Sequence, residues 1–250
     1  MKVLVHAHTA FSGDGELSPQ QLADLARSNG FDAVLLADHF ESLTAAAFAQ
    51  LVEECRNVTN CLMAPGYERS IRGYHVLALG TEQWFVERNV ERWAGRIAAA
   101  GGMTVVAHPS RYRHEIPNDI LNACEAVEVW NSKFGYDGSL APNPRAYDLL
   151  GPHRLPLCSQ DLHGVRHLSG VGIEIPGQCK TGAEILAHLR RGDYRMTNGV
   201  LSFDRNLSRL GAAVMAGYHQ ARRAFVERAI RARKWARKNC ELRTAGREKP

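Results

Sequence analysis

Short apolar runs recur along the chain, separated by longer stretches in which apolar residues step by three or four. The short runs predict strands at Val3–Val5, Ala33–Ala37, Cys61–Ala64, His75–Leu79, Thr104–Ala107, Ala126–Trp130, Leu155–Ser159 and Val171–Ile175. The stretches between them predict helices near Pro19–Ser28, Ala45–Arg56, Gln83–Ala100, Asp119–Cys124, Pro144–Leu150 and Ala183–Arg190. Ser18 followed by Pro19 gives the first helix an N-cap and first turn, and Asn29-Gly30 closes it. Strand–helix alternation of this kind predicts a parallel β/α architecture. A length of 250 residues suits one such barrel with an appendage.

The residues that follow the strands change the picture from architecture to chemistry. His6-Ala7-His8 follows the first run, Asp38-His39 the second and Gly66-Tyr67-Glu68 the third. His108-Pro109 and Asp161-Leu162-His163 follow two later ones. Strand C-terminal ends of a β/α barrel open on one face, so five strands deliver His, Asp or Glu to one rim. Residues i and i+2 of a strand point to the same side, so His6 with His8, and Asp161 with His163, can share an ion. With His6, His8, Asp14, His39, Glu68, His108, Asp161 and His163 available, one ion cannot use them all, and two or three are expected. Imidazole and carboxylate without thiolate suit Zn²⁺, Mn²⁺ or Fe ions. His75, His114, His153, His167, His188 and His219 fall outside this pattern and read as structural.

HAHTAFSGD at His6–Asp14 resembles the first motif of the PHP family, the polymerase and histidinol phosphatase superfamily, where the pattern is H-x-H-[TS]-x-x-S-x-[DE]. ADH at Ala37–His39, GYE at Gly66–Glu68, AHP at Ala107–Pro109, EVWN at Glu128–Asn131 and QDLH at Gln160–His163 resemble its later motifs, in order, over roughly residues 1–175. The resemblance implies a distorted (β/α)7 barrel of the PHP type and a metal-dependent phosphoesterase site. It implies that His6, His8, Glu68 and Asp161 hold one ion, with Glu68 bridging to a second near His108. Asp14, His39 and His163 would complete a third position. Members with a full trinuclear site usually carry another ligand just after the EVWN-like strand; here only Asn131 offers a replacement. Arg111, Lys133, Arg69 and Arg166 follow or flank these motifs and are the candidates for binding substrate phosphate.

Charge and cysteine content refine this. Residues 205–250 carry thirteen Lys/Arg against three Asp/Glu, leaving a mildly acidic body of 18 basic and 23 acidic residues. The expected division is a barrel over 1–204 and a basic helical extension over 205–250. Within the extension, Leu207, Leu210, Val214, Tyr218, Ala221 and Phe225 form one helical face suited to docking on the barrel. Beyond Phe225, Arg228, Arg231, Arg233, Lys234, Arg237 and Lys238 surround Trp235. A solvated or partner-docking end is favoured there over nucleic acid, because there is no glycine–aromatic RNA-binding signature; an anionic membrane surface is a further reading. The six cysteines show no C-x-x-C spacing and read as reduced, mostly buried thiols. With no leader and no transmembrane stretch, the chain reads as a soluble cytoplasmic protein. The leading expectation is hydrolysis of a small phosphate monoester or diester by metal-activated water. A nuclease with the same site comes second, and a non-catalytic metal-binding regulatory or scaffold module third. A metal-dependent C–N hydrolase is distant, because no strand ends in the bridging lysine it would need.

Overall fold

A computed structural model describes residues 1–133 and 135–245, without the side chains at 209, 229, 230 and 232–245. Phe134, the Cys240 thiol and the side chains from Arg233 to Lys238 thus lie outside the described residues. β1 (Lys2–Ala7) leads to α1 (Pro19–Ser28), β2 (Ala33–Leu36), the two-residue β3 (Asp38–His39) and α2 (Ala45–Asn57). β4 (Leu62–Ala64), β5 (Gly66–Ile71) and β6 (Tyr74–Leu79) precede α3 (Val90–Ala99), β7 (Met103–Val106), α4 (Asn118–Ala123) and β8 (Ala126–Asn131). Then come α5 (Pro144–Tyr147), β9 (Leu155–Ser159), β10 (Gly172–Glu174), α6 (Gly182–Arg191), β11 (Arg195–Thr197), β12 (Ser202–Phe203) and α7 (Arg209–Ala245).

The strands make two six-stranded sheets, ordered β12-β11-β10-β1-β2-β4 and β3-β5-β6-β7-β8-β9. Both are mixed, which corrects the purely parallel expectation. β1–β2, β2–β4, β3–β5, β7–β8 and β8–β9 are parallel, whereas β5–β6, β6–β7 and β1–β10 are antiparallel. The largest departure is the β5–β6 hairpin, because Gly66–Ile71 does not read as a strand in the sequence. Its turn residues Arg72 and Gly73 both take positive φ, 53° and 85°. A two-residue hairpin needs that geometry, and Asn-Gly or Asp-Gly usually supplies it. An Arg in the first position hides the signal.

The helix expected from Gln83 begins later, at Val90, where the Asn89 side chain accepts the Arg92 N–H as N-cap. The preceding segment packs instead: Trp84 stacks on Phe40 with centroids 4.0 Å apart, and Phe85 is buried. α3 then buries Val90, Trp93, Ala94 and Ile97, an i, i+3, i+4, i+7 stripe. α1 is opened by a capping box between Ser18 and Gln21.

Residues of the inner strands alternate between two apolar clusters, as β1 and β2 show. Leu4, Val34 and Leu36 pack with helix residues such as Leu22, Phe48 and Trp93, while Val3, Val5, Ala33 and Leu35 pack with Leu77, Val105, Val129 and Leu157 of the other sheet. Burial on both faces explains why the strands read as unbroken apolar runs. Further hydrogen bonds link the sheets: His8 N–H to Leu162 O (2.8 Å) and Gln160 N–H to Val5 O (3.0 Å). Cys55, Cys61, Cys124 and Cys158 are buried and free, as expected, and burial pushes the Cys124 thiol up to about 12.

The chain divides at Leu207 into two compact units. The second is α7, and on it Leu210, Val214 and Phe225 are exposed. Among the described residues no helix is long and apolar enough to cross a membrane.

Candidate metal centre

His6 and His8 lie at the end of β1, His39 at the end of β3, Glu68 within β5, His108 just after β7 and Asp161 and His163 after β9, and the fold brings them together with Asp14. His6, His8, Glu68, His108, Asp161 and His163 are all buried. His6, His108 and Asp161 hold positive φ (66°, 30° and 50°), a left-handed conformation that side chains with a Cβ adopt at a cost of order 1–3 kcal/mol each. Such strain concentrates where side chains must be aimed, and here it sits on three of the candidate ligands. Gly66 lets β5 approach its neighbours: a Cβ there would lie 2.4 Å from Leu36 O and 2.5 Å from Ala78 O, two residues before Glu68.

Glu68 is the hub. Its Oε1 lies 2.8 Å from His75 Nδ1, 3.0 Å from His108 Nε2 and 3.7 Å from His6 Nε2. Its Oε2 lies 3.0 Å from His39 Nδ1 and 3.7 Å from His8 Nε2. Asp161 Oδ1 lies 3.3 Å from His8 Nε2 and 3.6 Å from His6 Nε2. Asp14 Oδ2 lies 3.3 Å from His39 Nε2 and 3.2 Å from His163 Nε2. Among the described residues three groups emerge, each with potential ligand atoms within 4.8 Å of one another: His6/His8/Glu68, Glu68/His75/His108 and His8/Asp14/His39/His163.

The PHP domain family model matches residues 5–171, the span that holds every one of these groups. The chain belongs to the PHP family. Among solved structures, a two-domain protein from Bacteroides vulgatus ATCC 8482, containing a predicted PHP-like metal-dependent phosphoesterase, superposes with a TM-score of 0.60 at 16% identity. The match covers 82% of this chain and 65% of that one, so this chain spans less than two thirds of its length. A protein from Bifidobacterium adolescentis ATCC 15703, provisionally named a metal-dependent phosphoesterase, aligns with a TM-score of 0.50 at 17% identity, over 75% of this chain and 94% of that one. At such identities the likeness speaks to the fold. No curated protein matches the chain.

The electrostatics of this PHP cluster suit cations. Burial resists charge on His6, but Glu128, Asp161 and Glu68 outweigh it and hold the imidazole well above its ordinary value. Burial likewise resists ionisation of Glu68 and Asp161, yet the surrounding imidazoles, His6 first, hold both well below the usual carboxylate range. Burial lowers His8 to about 3. The cluster therefore presents ionised carboxylates beside a neutral His8 and a His6 whose proton a divalent ion would displace. The nitrogen–oxygen set fits Zn²⁺, Mn²⁺ or Fe. His108 Nδ1 is buried without a protein partner.

His75, read from the sequence as structural, lies at the cluster, with Nδ1 2.8 Å from Glu68 Oε1. β6 runs antiparallel, so its first residues, and not its last, lie at the rim where the parallel strands end. The hairpin register pairs Glu68 with Leu77 and Ser70 with His75, making His75 the diagonal same-face neighbour of Glu68. A parallel reading of the strand hides this placement. Glu128 and the Ser12–Asp38 pair also went unassigned in the sequence, although all three lie within the motifs. Glu128 is fully buried and its Oε1 lies 2.7 Å from His6 Nδ1.

The remaining candidates divide. Lys133 Nζ donates to Asp161 Oδ2 at 2.8 Å and lies 3.4 Å from His163 Nδ1, so it reaches the cluster. Arg111 is exposed, with its guanidinium 5.9 Å from the Tyr112 ring centre, beside His108. Arg69 faces away from Glu68, as its neighbour on the strand must. Its guanidinium lies over Phe40 and Trp93 and donates to Glu87 O. Arg166 is exposed and pairs with Glu16 at 3.3 Å. Asn131 is buried, with both ends of its amide occupied: Nδ2 donates to Glu128 Oε2 (3.0 Å) and Oδ1 accepts the Lys133 N–H (3.0 Å).

Proposed function

We propose that this chain is a metal-dependent phosphoesterase that hydrolyses a small phosphate monoester or diester. The observation that carries this reading is the sharing of ligands: Glu68 belongs to two of the three groups and His8 to two. Shared ligands place neighbouring cations close enough to act on one phosphoryl group. His6, His8, Glu68 and Asp161 would hold one ion, Glu68 and His108 a second, and Asp14, His39 and His163 a third. His75 would stand in for the ligand missing after β8, leaving Asn131 to hold Glu128 in place. We also read the two sheets as halves of one distorted seven-stranded barrel; the apolar cluster they share and the hydrogen bonds from β1 to the segment after β9 support this.

Divalent ions in these positions would supply charge neutralisation and a water nucleophile at neutral pH. The chain's own residues do the rest. Lys133, half-buried and already turned toward the cluster, would hold a substrate phosphate oxygen once released from Asp161. Arg111 would contact the substrate at the outer edge of the site. Burial of the carboxylates keeps water away from the charges that orient the reaction.

The deciding test is turnover of phosphorylated metabolites, p-nitrophenyl phosphate and short oligonucleotides by protein loaded with Mn²⁺ or Zn²⁺. Turnover confined to oligonucleotides would replace the small-molecule reading by a nuclease, and no turnover with full metal occupancy would favour the regulatory module. Because every proposed ligand precedes Leu207, a chain ending there is expected to keep its metal content and small-substrate turnover. Loss of either in a folded truncation would show that α7 completes the site. His75→Asn is expected to lower the stoichiometry by one ion per chain while His6 and His8 keep theirs. Unchanged metal content by elemental analysis would remove His75 from the ligand set.

A further inference from the structure

His8 and His6 each present one ring nitrogen to the cluster and the other to a group behind them. Behind His8 lies Ser12, whose Oγ is 3.0 Å from His8 Nδ1. That same Oγ accepts the backbone N–H of His39 at 2.8 Å and donates to Asp38 Oδ1 at 2.8 Å. A hydroxyl has one proton and two lone pairs. Asp38 is fixed as an acceptor, since the Thr9 N–H (2.7 Å) and Thr9 hydroxyl (3.0 Å) also donate to it. The Ser12 proton is thus committed to Asp38, one lone pair to His39, and the remaining lone pair must receive a proton from His8 Nδ1. Behind His6, the Glu128 carboxylate accepts from the His108 N–H (2.6 Å) and Asn131 Nδ2 (3.0 Å), and it faces His6 Nδ1 at 2.7 Å.

We propose that Ser12–Asp38 and Glu128 are positioning residues that hold a proton on Nδ1 of His8 and of His6, so that both Nε2 atoms are turned to the metal position and His8 Nε2 is bare. The two Nε2 atoms are 3.1 Å apart and share Asp161 Oδ1 and Glu68 as neighbours. Two ring nitrogens and two carboxylates then converge on one position, an arrangement that a divalent cation satisfies. The lock on His8 works against Asp161, whose Oδ1, 3.3 Å from His8 Nε2, would otherwise draw the ring proton to that side. The inference rests on the metal-centre reading for its purpose, but the proton positions can be read without metal.

The test is long-range ¹H–¹⁵N spectroscopy of ¹⁵N-histidine-labelled, chelator-treated protein at pH 8, with His8 assigned through His8→Gln. The expected spectrum shows His8 Nδ1 protonated and Nε2 bare. Ser12→Ala is expected to move the proton to Nε2 and to weaken Mn²⁺ or Zn²⁺ binding by roughly 10–100-fold in titration calorimetry, while Ser12→Thr restores both. A His8 proton on Nε2 in the unaltered protein would overturn the proposal, and needs no variant to fold. So would Ser12→Ala with an unmoved proton and affinity within twofold. An Nδ1–H tautomer in unaltered protein that binds no metal would instead uphold the lock and sink the metal-centre reading.

Discussion

Glu68→Gln is expected to remove most bound metal and to lower phosphoesterase turnover by roughly 10²–10³-fold, the size of effect seen when a principal charge-stabilising group is lost. The change keeps the volume of the side chain and removes only its charge. Glu68 is buried, lies within hydrogen-bonding reach of His39, His75 and His108, and is shared by two ligand groups. No other residue in the cluster touches as many imidazoles. The amide cannot offer two anionic oxygens, and its NH₂ would point a donor at ring nitrogens that must themselves bind cations. Elemental analysis and steady-state kinetics on the same preparation check the result. Retained metal with turnover within threefold would show that Glu68 does not bridge.

Metal-free and metal-loaded protein are expected to respond to pH in opposite directions between about 6.5 and 8. In the metal-free protein His6 is held well above its ordinary value: burial opposes the charge, but Glu128, Asp161 and Glu68 prevail. A group whose folded value is raised contributes stability that is fully present below its unfolded value and is lost as pH rises through the folded one. Glu68 and Asp161, held low, contribute stability that is lost only on strong acidification, outside this window. His8, lowered to about 3 by burial, is already neutral there. Metal-free protein should therefore lose stability as pH rises from 6.5. Metal must displace the His6 proton, so its affinity should rise by up to about tenfold per pH unit for each proton released. Bound metal adds stability in proportion to the logarithm of its saturation, so the loaded protein should gain where the metal-free protein loses. Melting curves at pH 6.5, 7.25 and 8, with chelator or with excess Mn²⁺, check this. Parallel curves would mean that His6 carries no proton for the metal to displace.

Most of the site was legible because it is local. His6 with His8, and Asp161 with His163, are candidate ligand pairs that a strand end creates by itself, and each motif follows an apolar run that predicts a strand. The eight predicted strands are all present, since burial on both faces writes them as unbroken apolar stretches. Helices were legible where a capping residue lies beside a periodic stripe, as in α1. They were misjudged where the stripe continues before the cap: Trp84 and Phe85 look helical but pack in an extended segment ahead of Asn89.

What the tertiary structure alone decided depends on direction and on distance in the chain. Whether β6 runs parallel or antiparallel is set by a turn at Arg72-Gly73 that carries no recognisable turn signal. That direction determines which end of the strand, and so whether His75, meets Glu68. Glu128 lies 122 residues from His6, and Asp38 26 residues from Ser12. No period or spacing links such residues; only the packing of separate strands around one buried point does. The sequence by itself determined eight of the strands, the family and the main imidazole and carboxylate candidates, because those follow from alternation and motifs along single elements. Which group stands behind each imidazole, which histidine joins the cluster and which arginine is turned away from it were decided only when the elements were packed. Each of these depends on what faces a side chain across the fold, and the chain's linear order does not contain it.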